Sequence, residues 1–108
     1  MISANIDRAT RKNVYRRDGY RCALCDDPRT IQIHHVVPRG KGGLQEHEMN
    51  MITLCPRCHA LCHGTDIDRV GFTKEYMEQA CVEYLSDLYA QEGLIWNPWS
   101  PNKHAWKF

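Results

Sequence analysis

The clearest pattern of apolar and polar positions lies near the carboxyl end of the chain. Between residues 74 and 92 the apolar side chains recur every three or four positions, which predicts an amphipathic helix. Thr73 suits the N-cap of this helix, and Gly93 suits a left-handed stop after it. The apolar stripe consists of Met77, Ala80, Cys81, Tyr84, Leu85 and Leu88. We interpret this stripe as a packing surface.

The centre of the chain shows a different pattern. Two short runs, residues 31–37 and 51–55, are rich in β-branched or apolar side chains and predict strands. A basic, glycine-rich segment over residues 39–43 predicts a flexible loop between them. Pro56 suits the first turn of a short helix that ends just before Gly64.

The two ends of the chain carry weaker signals. Residues 4–18 predict a short basic helix, with Ser3 as a candidate cap and Gly19 as its stop. Residues 94–108 hold three Trp and two Pro without a clear period. We expect an irregular arm packed on the domain surface, and a docking segment for a partner or for nucleic-acid bases is the alternative.

Length and composition narrow the class of protein. The chain has 108 residues, of which 43% are hydrophobic and 25% charged, as expected for one domain. No apolar run approaches the roughly 20 residues of a membrane span, and the first residues lack the apolar stretch of a signal peptide. We therefore expect a cytoplasmic protein. The net charge is only +1, but residues 1–43 hold nine Lys or Arg against four Asp or Glu. This basic half indicates a polyanionic partner, unless the acidic second half merely neutralises it.

The cysteines predict a metal site. Cys22 and Cys25 form one C-x-x-C pair, and Cys55 and Cys58 form a second pair, with 29 residues between the two pairs. Two such pairs are typical of a tetrahedral, structural Zn²⁺ site, and a reducing compartment favours metal over disulfides. A redox pair or two accidental pairs are the alternatives. Of the remaining cysteines, Cys81 is expected to be a buried thiol and Cys62 has no assigned role.

Four histidines lie between and just after these pairs. His59 and His63 are four positions apart, so a helix places both imidazoles on one face, as two ligands of one ion require. His34 and His35 are adjacent on a predicted strand, so their side chains point to opposite faces. This arrangement predicts a second, histidine-rich metal site with one histidine left free to act as a base.

These residues carry a resemblance to a known family. The run IHHVVPRGKGG, then Asn50, then LCPRCHALCHG resembles the HNH (His-Me finger, ββα-metal) endonucleases, and YRRDGYRCALC is similar to the lead-in of their zinc-clipped branch. The resemblance covers roughly residues 8–64. It implies an α+β fold, with a ββα-metal core and a four-cysteine zinc site. A basic N-terminal helix and a C-terminal amphipathic helix with an irregular tail flank this core.

The resemblance also implies a domain layout and a role for each site residue. One nuclease domain would span residues 1–108, with a basic helix over 1–21, the core over 22–64, the second helix over 73–93 and a tail over 94–108. The implied general base is His35, Asn50 braces the loop that holds this base, and Arg39 or Lys41 holds phosphate charge unless the two serve only loop solubility. The ligands of one catalytic divalent ion (Mg²⁺, Mn²⁺, Ni²⁺ or Zn²⁺) would be His34, His59 and His63. The structural zinc ligands would be Cys22, Cys25, Cys55 and Cys58. The residues expected to contact DNA phosphates are Arg8, Arg11, Lys12, Arg16, Arg17 and Lys41.

The function implied by the resemblance is hydrolysis of DNA phosphodiester bonds to 5′-phosphate and 3′-hydroxyl ends. No recognition helix is evident, so nicking or weakly selective cleavage is expected. Small nucleases of this kind serve phage packaging or restriction-like systems, which makes a protein complex an expected partner besides DNA. The alternative is a non-catalytic zinc-knuckle module for nucleic-acid binding or assembly, which would need the four cysteines but not the paired histidines.

Overall fold

The chain folds as a two-stranded sheet between helices. A computed structural model describes residues 6–64 and 72–99. The helices and strands, in chain order, are α1 (Arg8–Arg17), β1 (Gln32–His35), β2 (Met51–Leu54), α2 (Pro56–Cys62) and α3 (Lys74–Ala90). Two 3₁₀ turns, Arg39–Lys41 and Glu48–Asn50, lie in the connection between the strands. The predicted α+β class with a ββα core is confirmed.

The sheet separates two apolar clusters. Strands β1 and β2 are antiparallel, with His34 opposite Ile52. Side chains alternate between the faces of a strand, so Ile33 turns toward Val14 of α1 in the smaller cluster. Ile52 and Leu54 turn the other way, into the main core with α2 and α3. The sheet therefore has α1 on one face and α2 with α3 on the other.

Local signals explain where α2 and α3 begin. The Cys55 side chain caps α2 by accepting the Cys58 N–H (3.4 Å), and Pro56 occupies the first turn. The Thr73 hydroxyl caps α3 by accepting the Tyr76 N–H (3.1 Å), as predicted. Gly93 has φ +77°, in the left-handed region that favours glycine. The residues of α3 that are buried in the core are Met77, Cys81, Leu85 and Tyr89.

The ends of several elements differ from the sequence predictions. Helix α1 begins at Arg8 with Asp7 as its N-cap, because Ile6 is buried beside the sheet and is not helical. The predicted start at residue 4 is therefore wrong, and Ser3 lies outside the described residues. Strand β1 covers only Gln32–His35 of the predicted 31–37.

The glycine-rich segment after β1, predicted as a loop, contains a short turn and a buried glycine. Its first three residues form a 3₁₀ turn, and Gly43 is buried. A Cβ atom on Gly43 would lie 1.9 Å from the carbonyl oxygen of Val37, so only glycine fits. Close packing of this glycine against the preceding strand end fixes the path of the loop.

The described part of the tail packs on the domain, as expected. The Trp96 indole N–H donates to the Met49 carbonyl (2.5 Å), and the Leu44 N–H donates to the Pro98 carbonyl (3.0 Å). Pro98 is fully buried, whereas Trp99 is half exposed. Residues 100–108 of the predicted arm lie outside the described residues.

Candidate functional site

The four paired cysteines meet in one cluster. The sulfur atoms of Cys22, Cys25, Cys55 and Cys58 all lie within 4.8 Å of one another. The Sγ atoms of Cys25 and Cys55 are 3.6 Å apart, and all four cysteines are free thiols. Burial and the neighbouring Cys22 sulfur raise the pKa of Cys58, so the cluster needs a cation to hold several thiolates. The donor set and its closeness fit a structural Zn²⁺ ion.

The cysteine cluster joins two distant segments. Its first pair lies in the loop after α1, where the Ala23 N–H donates to the Thr53 carbonyl of β2 (2.8 Å). Its second pair brackets the start of α2. A metal ion held here would fix the loop to the strand and helix that carry the histidines.

Three of the four predicted histidines form a second cluster. One ring nitrogen from each of His34, His59 and His63 lies within 4.8 Å of the other two. The ring centroids are 5.0 Å apart for His34 and His59, and 4.8 Å apart for His59 and His63. His34 is buried on β1, and His63 is exposed at the end of α2. The strand and the helix thus bring together the three imidazoles that the sequence suggested as ligands.

The protonation of these imidazoles suits metal binding. Burial, together with the neighbouring imidazoles His59 and His63, lowers the pKa of His34 to about 3, so this ring is neutral at pH 7. The Nε2 atom of His34 is buried without a hydrogen-bond partner, which is costly unless a ligand satisfies it. A divalent ion is the group that this donor set and this unsatisfied nitrogen fit.

Gln32 completes the histidine cluster and was missed at the sequence level. Its Oε1 atom lies 2.5 Å from His59 Nδ1. Because a carbonyl oxygen only accepts, Nδ1 carries the hydrogen and Nε2 keeps its lone pair for an ion. The signal was present in the sequence, since Gln32 and His34 are two positions apart on one strand face.

His35 turns to the opposite strand face from His34, as predicted. Its Nε2 atom lies 3.0 Å from the Gln45 carbonyl oxygen. This carbonyl requires a hydrogen on Nε2, so a neutral His35 carries its lone pair on Nδ1. The backbone of the loop therefore sets the tautomer in which Nδ1 can accept a proton.

The side chain of Asn50 holds this loop by hydrogen bonds to its backbone. Its side chain is fully buried; Oδ1 accepts the Val37 N–H (2.7 Å), and Nδ2 donates to the carbonyls of Val37 (2.9 Å) and Leu44 (2.6 Å). The Leu44 bond fixes the residue next to Gln45, whose carbonyl orients His35. Asn50 can therefore act through the loop and has no exposed surface with which to touch a substrate.

The family comparison agrees with this geometry. Residues 22–65 match the family description "HNH endonuclease", a range that contains both clusters, His35 and Asn50. The chain belongs to the HNH endonuclease family. A curated relative, Anaredoxin of Nostoc sp. strain PCC 7120, is 35% identical over 61 residues, which are 56% of this chain and 79% of that protein. The name of this relative mentions no nuclease. No solved structure matches the chain significantly.

Membership of the HNH family supports a nuclease-type function, the use of divalent metal and nucleic acid as the partner. Among the helices in residues 6–64 and 72–99, none combines the length and the apolar character needed to cross a membrane.

His35 and the three clustered histidines line one cavity. Arg39 also lines this cavity, but Lys41 does not. This cavity has a volume of about 310 Å³. Its lining includes His34, His35, Arg39, Gln45, His59 and His63. Lys41 lines a different cavity, beside Trp96 and Trp99. The structure thus places one of the two predicted loop cations at the histidines.

The basic residues of α1 fall into two groups. Arg8, Lys12 and Arg16 are exposed and four positions apart, so they form one stripe along the helix, which we call the basic stripe. Arg11 is half-buried and has an interaction within the protein. Arg17 turns inward, so the structure corrects the prediction that it contacts DNA.

Arg17 lies at the centre of a polar network. It makes two hydrogen bonds to the Asp18 carboxylate (2.9 and 3.0 Å) and donates to the Met51 carbonyl (2.6 Å) and the Tyr89 hydroxyl (3.0 Å). Burial opposes the charge of Arg17, but Asp18 outweighs burial and raises its pKa. Asp18 also accepts the Tyr84 hydroxyl (2.8 Å). Because its donors are engaged here, Arg17 ties α1 to β2 and α3 and is not available to bind a phosphate.

Proposed function

We propose that this protein is a metal-dependent HNH endonuclease that hydrolyses DNA phosphodiester bonds. The observation that carries the proposal is the single cavity lined by His35 and by the three clustered histidines. A base and a metal-binding set that face one space are the two parts that hydrolysis of a phosphodiester requires. The four-cysteine cluster serves in this proposal as the zinc site that holds the domain together.

His35 is the proposed general base. Its Nδ1 atom, left with a lone pair by the Nε2 contact to Gln45, takes a proton from water. The resulting hydroxide attacks phosphorus in line with the leaving 3′ oxygen, which yields 5′-phosphate and 3′-hydroxyl ends. Asn50 is a positioning residue, because its hydrogen bonds fix the loop that carries the Gln45 carbonyl.

The histidine cluster is the proposed site of a divalent ion, held by His34, His59 and His63. When bound, Mg²⁺, Mn²⁺, Ni²⁺ or Zn²⁺ would supply positive charge next to the scissile phosphate and the leaving oxygen. Arg39 is exposed on the same cavity and is the proposed contact for a phosphate oxygen. The basic stripe would hold neighbouring phosphates of the backbone, which gives affinity without reading sequence.

Plasmid cleavage tests the proposal. The purified chain, with zinc at the cysteine cluster, is assayed with Mg²⁺, Mn²⁺, Ni²⁺ or Zn²⁺ beside His35→Ala at matched zinc content. Removing a general base costs about 10²–10⁴-fold in rate. We expect nicked or linear product from the wild type, and a loss of this size in the variant with an unchanged circular dichroism spectrum.

His47→Asn is the matched control for this assay. His47 lies on the same loop but outside the histidine cavity, and its ring accepts the Met49 N–H (3.1 Å), a cap that asparagine can replace. This variant should cut like the wild type. Equal cutting by His35→Ala would overturn the assigned base, and DNA binding without cutting by any protein would favour the non-catalytic binding module.

The salt dependence of DNA binding tests the basic stripe. Changing Arg8, Lys12 and Arg16 together to Gln should weaken binding and reduce the slope of log affinity against log salt by about 0.9 for each lost phosphate contact. Arg29→Gln is the control, because Arg29 is exposed but paired with Asp27 in the loop before β1 (3.0 Å). An unchanged slope in the triple variant would remove α1 from the DNA interface.

A further inference from the structure

Two buried thiols lie next to the histidine cluster and have no part in the proposed cleavage. Cys62 is the last residue of α2 and Cys81 lies in the middle of α3, and their side chains are 1% and 0% exposed. Their Sγ atoms are 3.8 Å apart. His34 belongs to the same group, since one ligand atom of each residue lies within 4.8 Å of the others.

We propose that Cys62, Cys81 and His34 form a binding site for a thiophilic divalent ion such as Zn²⁺ or Cd²⁺. This site is separate from the four-cysteine cluster and shares only His34 with the histidine cluster. It does not depend on whether the protein cleaves DNA.

The sulfur separation suits one ion between the two thiolates. Two sulfur atoms that are each about 2.3 Å from a tetrahedral zinc lie about 3.8 Å apart. The observed 3.8 Å therefore needs little movement of α2 against α3. A disulfide would instead require the two helices to bring these atoms to about 2.0 Å.

Charge balance also favours an ion at this place. Two thiolates and one neutral imidazole carry a total charge of −2, which one divalent cation neutralises, so that no net charge is buried. Sulfur ligands select thiophilic ions over Mg²⁺, which prefers oxygen. The site would therefore choose a different class of ion from a magnesium-dependent centre.

His34 offers a buried imidazole with an unsatisfied nitrogen, which an ion at the two sulfurs could satisfy as well as an ion at the histidine cluster. His34 is 4% exposed, and its Nε2 atom has no hydrogen-bond partner. An ion placed among these three side chains would lie against the imidazole on one side and both sulfurs on the other.

Cadmium NMR on the full chain tests the site. The protein is loaded with ¹¹³Cd²⁺ under a non-thiol reductant, so that every cysteine stays reduced. The ¹¹³Cd resonance moves downfield as the number of sulfur ligands increases, so a four-sulfur site, a two-sulfur site and an all-histidine site give separate signals. The wild type should show both the four-sulfur and the two-sulfur signal, and two sulfur-bound cadmium ions per chain.

Cys62→Ala and Cys81→Ala should each lose the two-sulfur signal and keep the four-sulfur signal. The retained signal shows that the variants are folded, because it needs both halves of the cysteine cluster in place. His59→Ala should keep both signals, since His59 belongs only to the histidine cluster. The proposal is overturned if the wild type shows no second sulfur-bound signal, or if that signal survives both alanine changes.

Discussion

The cysteine cluster and the histidine cluster share one short helix but differ in exposure. Cys55 caps α2 and Cys58 lies in its first turn, whereas His59 follows directly and His63 lies just past its end. Three of the four cysteines are buried, and the set joins two segments of the chain. The histidines run from buried His34 to exposed His63 along a cavity wall.

This difference in exposure fits two different roles for a metal ion at the two clusters. A closed set of four thiolates leaves no position free for a substrate, which is typical of structural zinc. Three imidazoles beside a cavity leave positions open, which is typical of a catalytic ion. Helix α2 can therefore be held by a structural ion at its start and carry ligands of a second ion toward its end. Each prediction below therefore perturbs the two clusters separately.

Loss of the cysteine cluster should have the largest effect. In Cys55→Ser we expect the domain to unfold, because zinc binding in small sites contributes about 10–16 kcal/mol that is also folding free energy. His63→Ala, eight positions along, removes an exposed imidazole and should leave the fold intact. Circular dichroism and zinc content of both variants check the contrast. A folded, zinc-free Cys55→Ser protein would contradict the structural role of the cysteines.

The histidine cluster should instead give a pH dependence of stability. In the folded state the pKa of His34 is about 3, below its unfolded value of about 6.5, because burial and the neighbouring imidazoles disfavour the charged ring. Below pH 6.5 the unfolded chain therefore binds a proton that the folded chain does not. Stability is present above this pH and falls as pH drops, by up to about 1.4 kcal/mol per unit.

Urea unfolding at pH 7.0, 6.0 and 5.5 measures this contribution. It is done without a metal ion at the histidines and with zinc kept at the cysteines. His34→Leu carries an apolar side chain of similar size and no titrating group at this position. The free energy of unfolding of the wild type minus that of the variant should decrease as the pH falls. A value that stays constant over this range would show that His34 does not titrate as its burial implies.

Much of the fold could be predicted because its signals are local. Pro56 and Thr73 mark helix starts through their own backbone and side-chain chemistry, and the structure confirms both. The adjacent pair His34 and His35 could be assigned to opposite strand faces from the two-residue period alone. The spacing of the cysteines likewise predicted a cluster that the fold does bring together.

The remainder depends on contacts between residues far apart in sequence. Arg17 looks like its neighbour Arg16, but a partner 72 positions away, Tyr89, turns it into the interior. The orientation of His35 depends on the Gln45 backbone carbonyl, and this contact cannot be predicted from the type of either residue. Gly43 packs closely against Val37, a contact that the composition of the loop does not reveal. Such features follow from packing and need the folded chain to be seen.

The contact between Gln32 and His59 gives the smallest and most specific test of the comparison. Replacing Gln32 with Leu keeps the size of the side chain but removes the acceptor for His59 Nδ1–H. Loss of such an outer hydrogen bond typically weakens metal binding about 10–100-fold, since the ligand ring loses its fixed tautomer. We expect a drop of this size in Ni²⁺ affinity at the histidines by calorimetry. Zinc at the cysteines and the unfolding midpoint should stay nearly unchanged.

Gln32→Glu provides the matched control for this last prediction. A carboxylate keeps an acceptor at the same position, so the glutamate variant should bind Ni²⁺ at least as tightly as the wild type. If Gln32→Leu binds like Gln32→Glu, the hydrogen bond does not organise the ion site. If Gln32→Leu also loses zinc from the cysteines, the two clusters on α2 are coupled and do not act as separate structural and catalytic ends. Only the combination of weakened Ni²⁺ binding and retained zinc supports separate structural and catalytic roles for the two clusters.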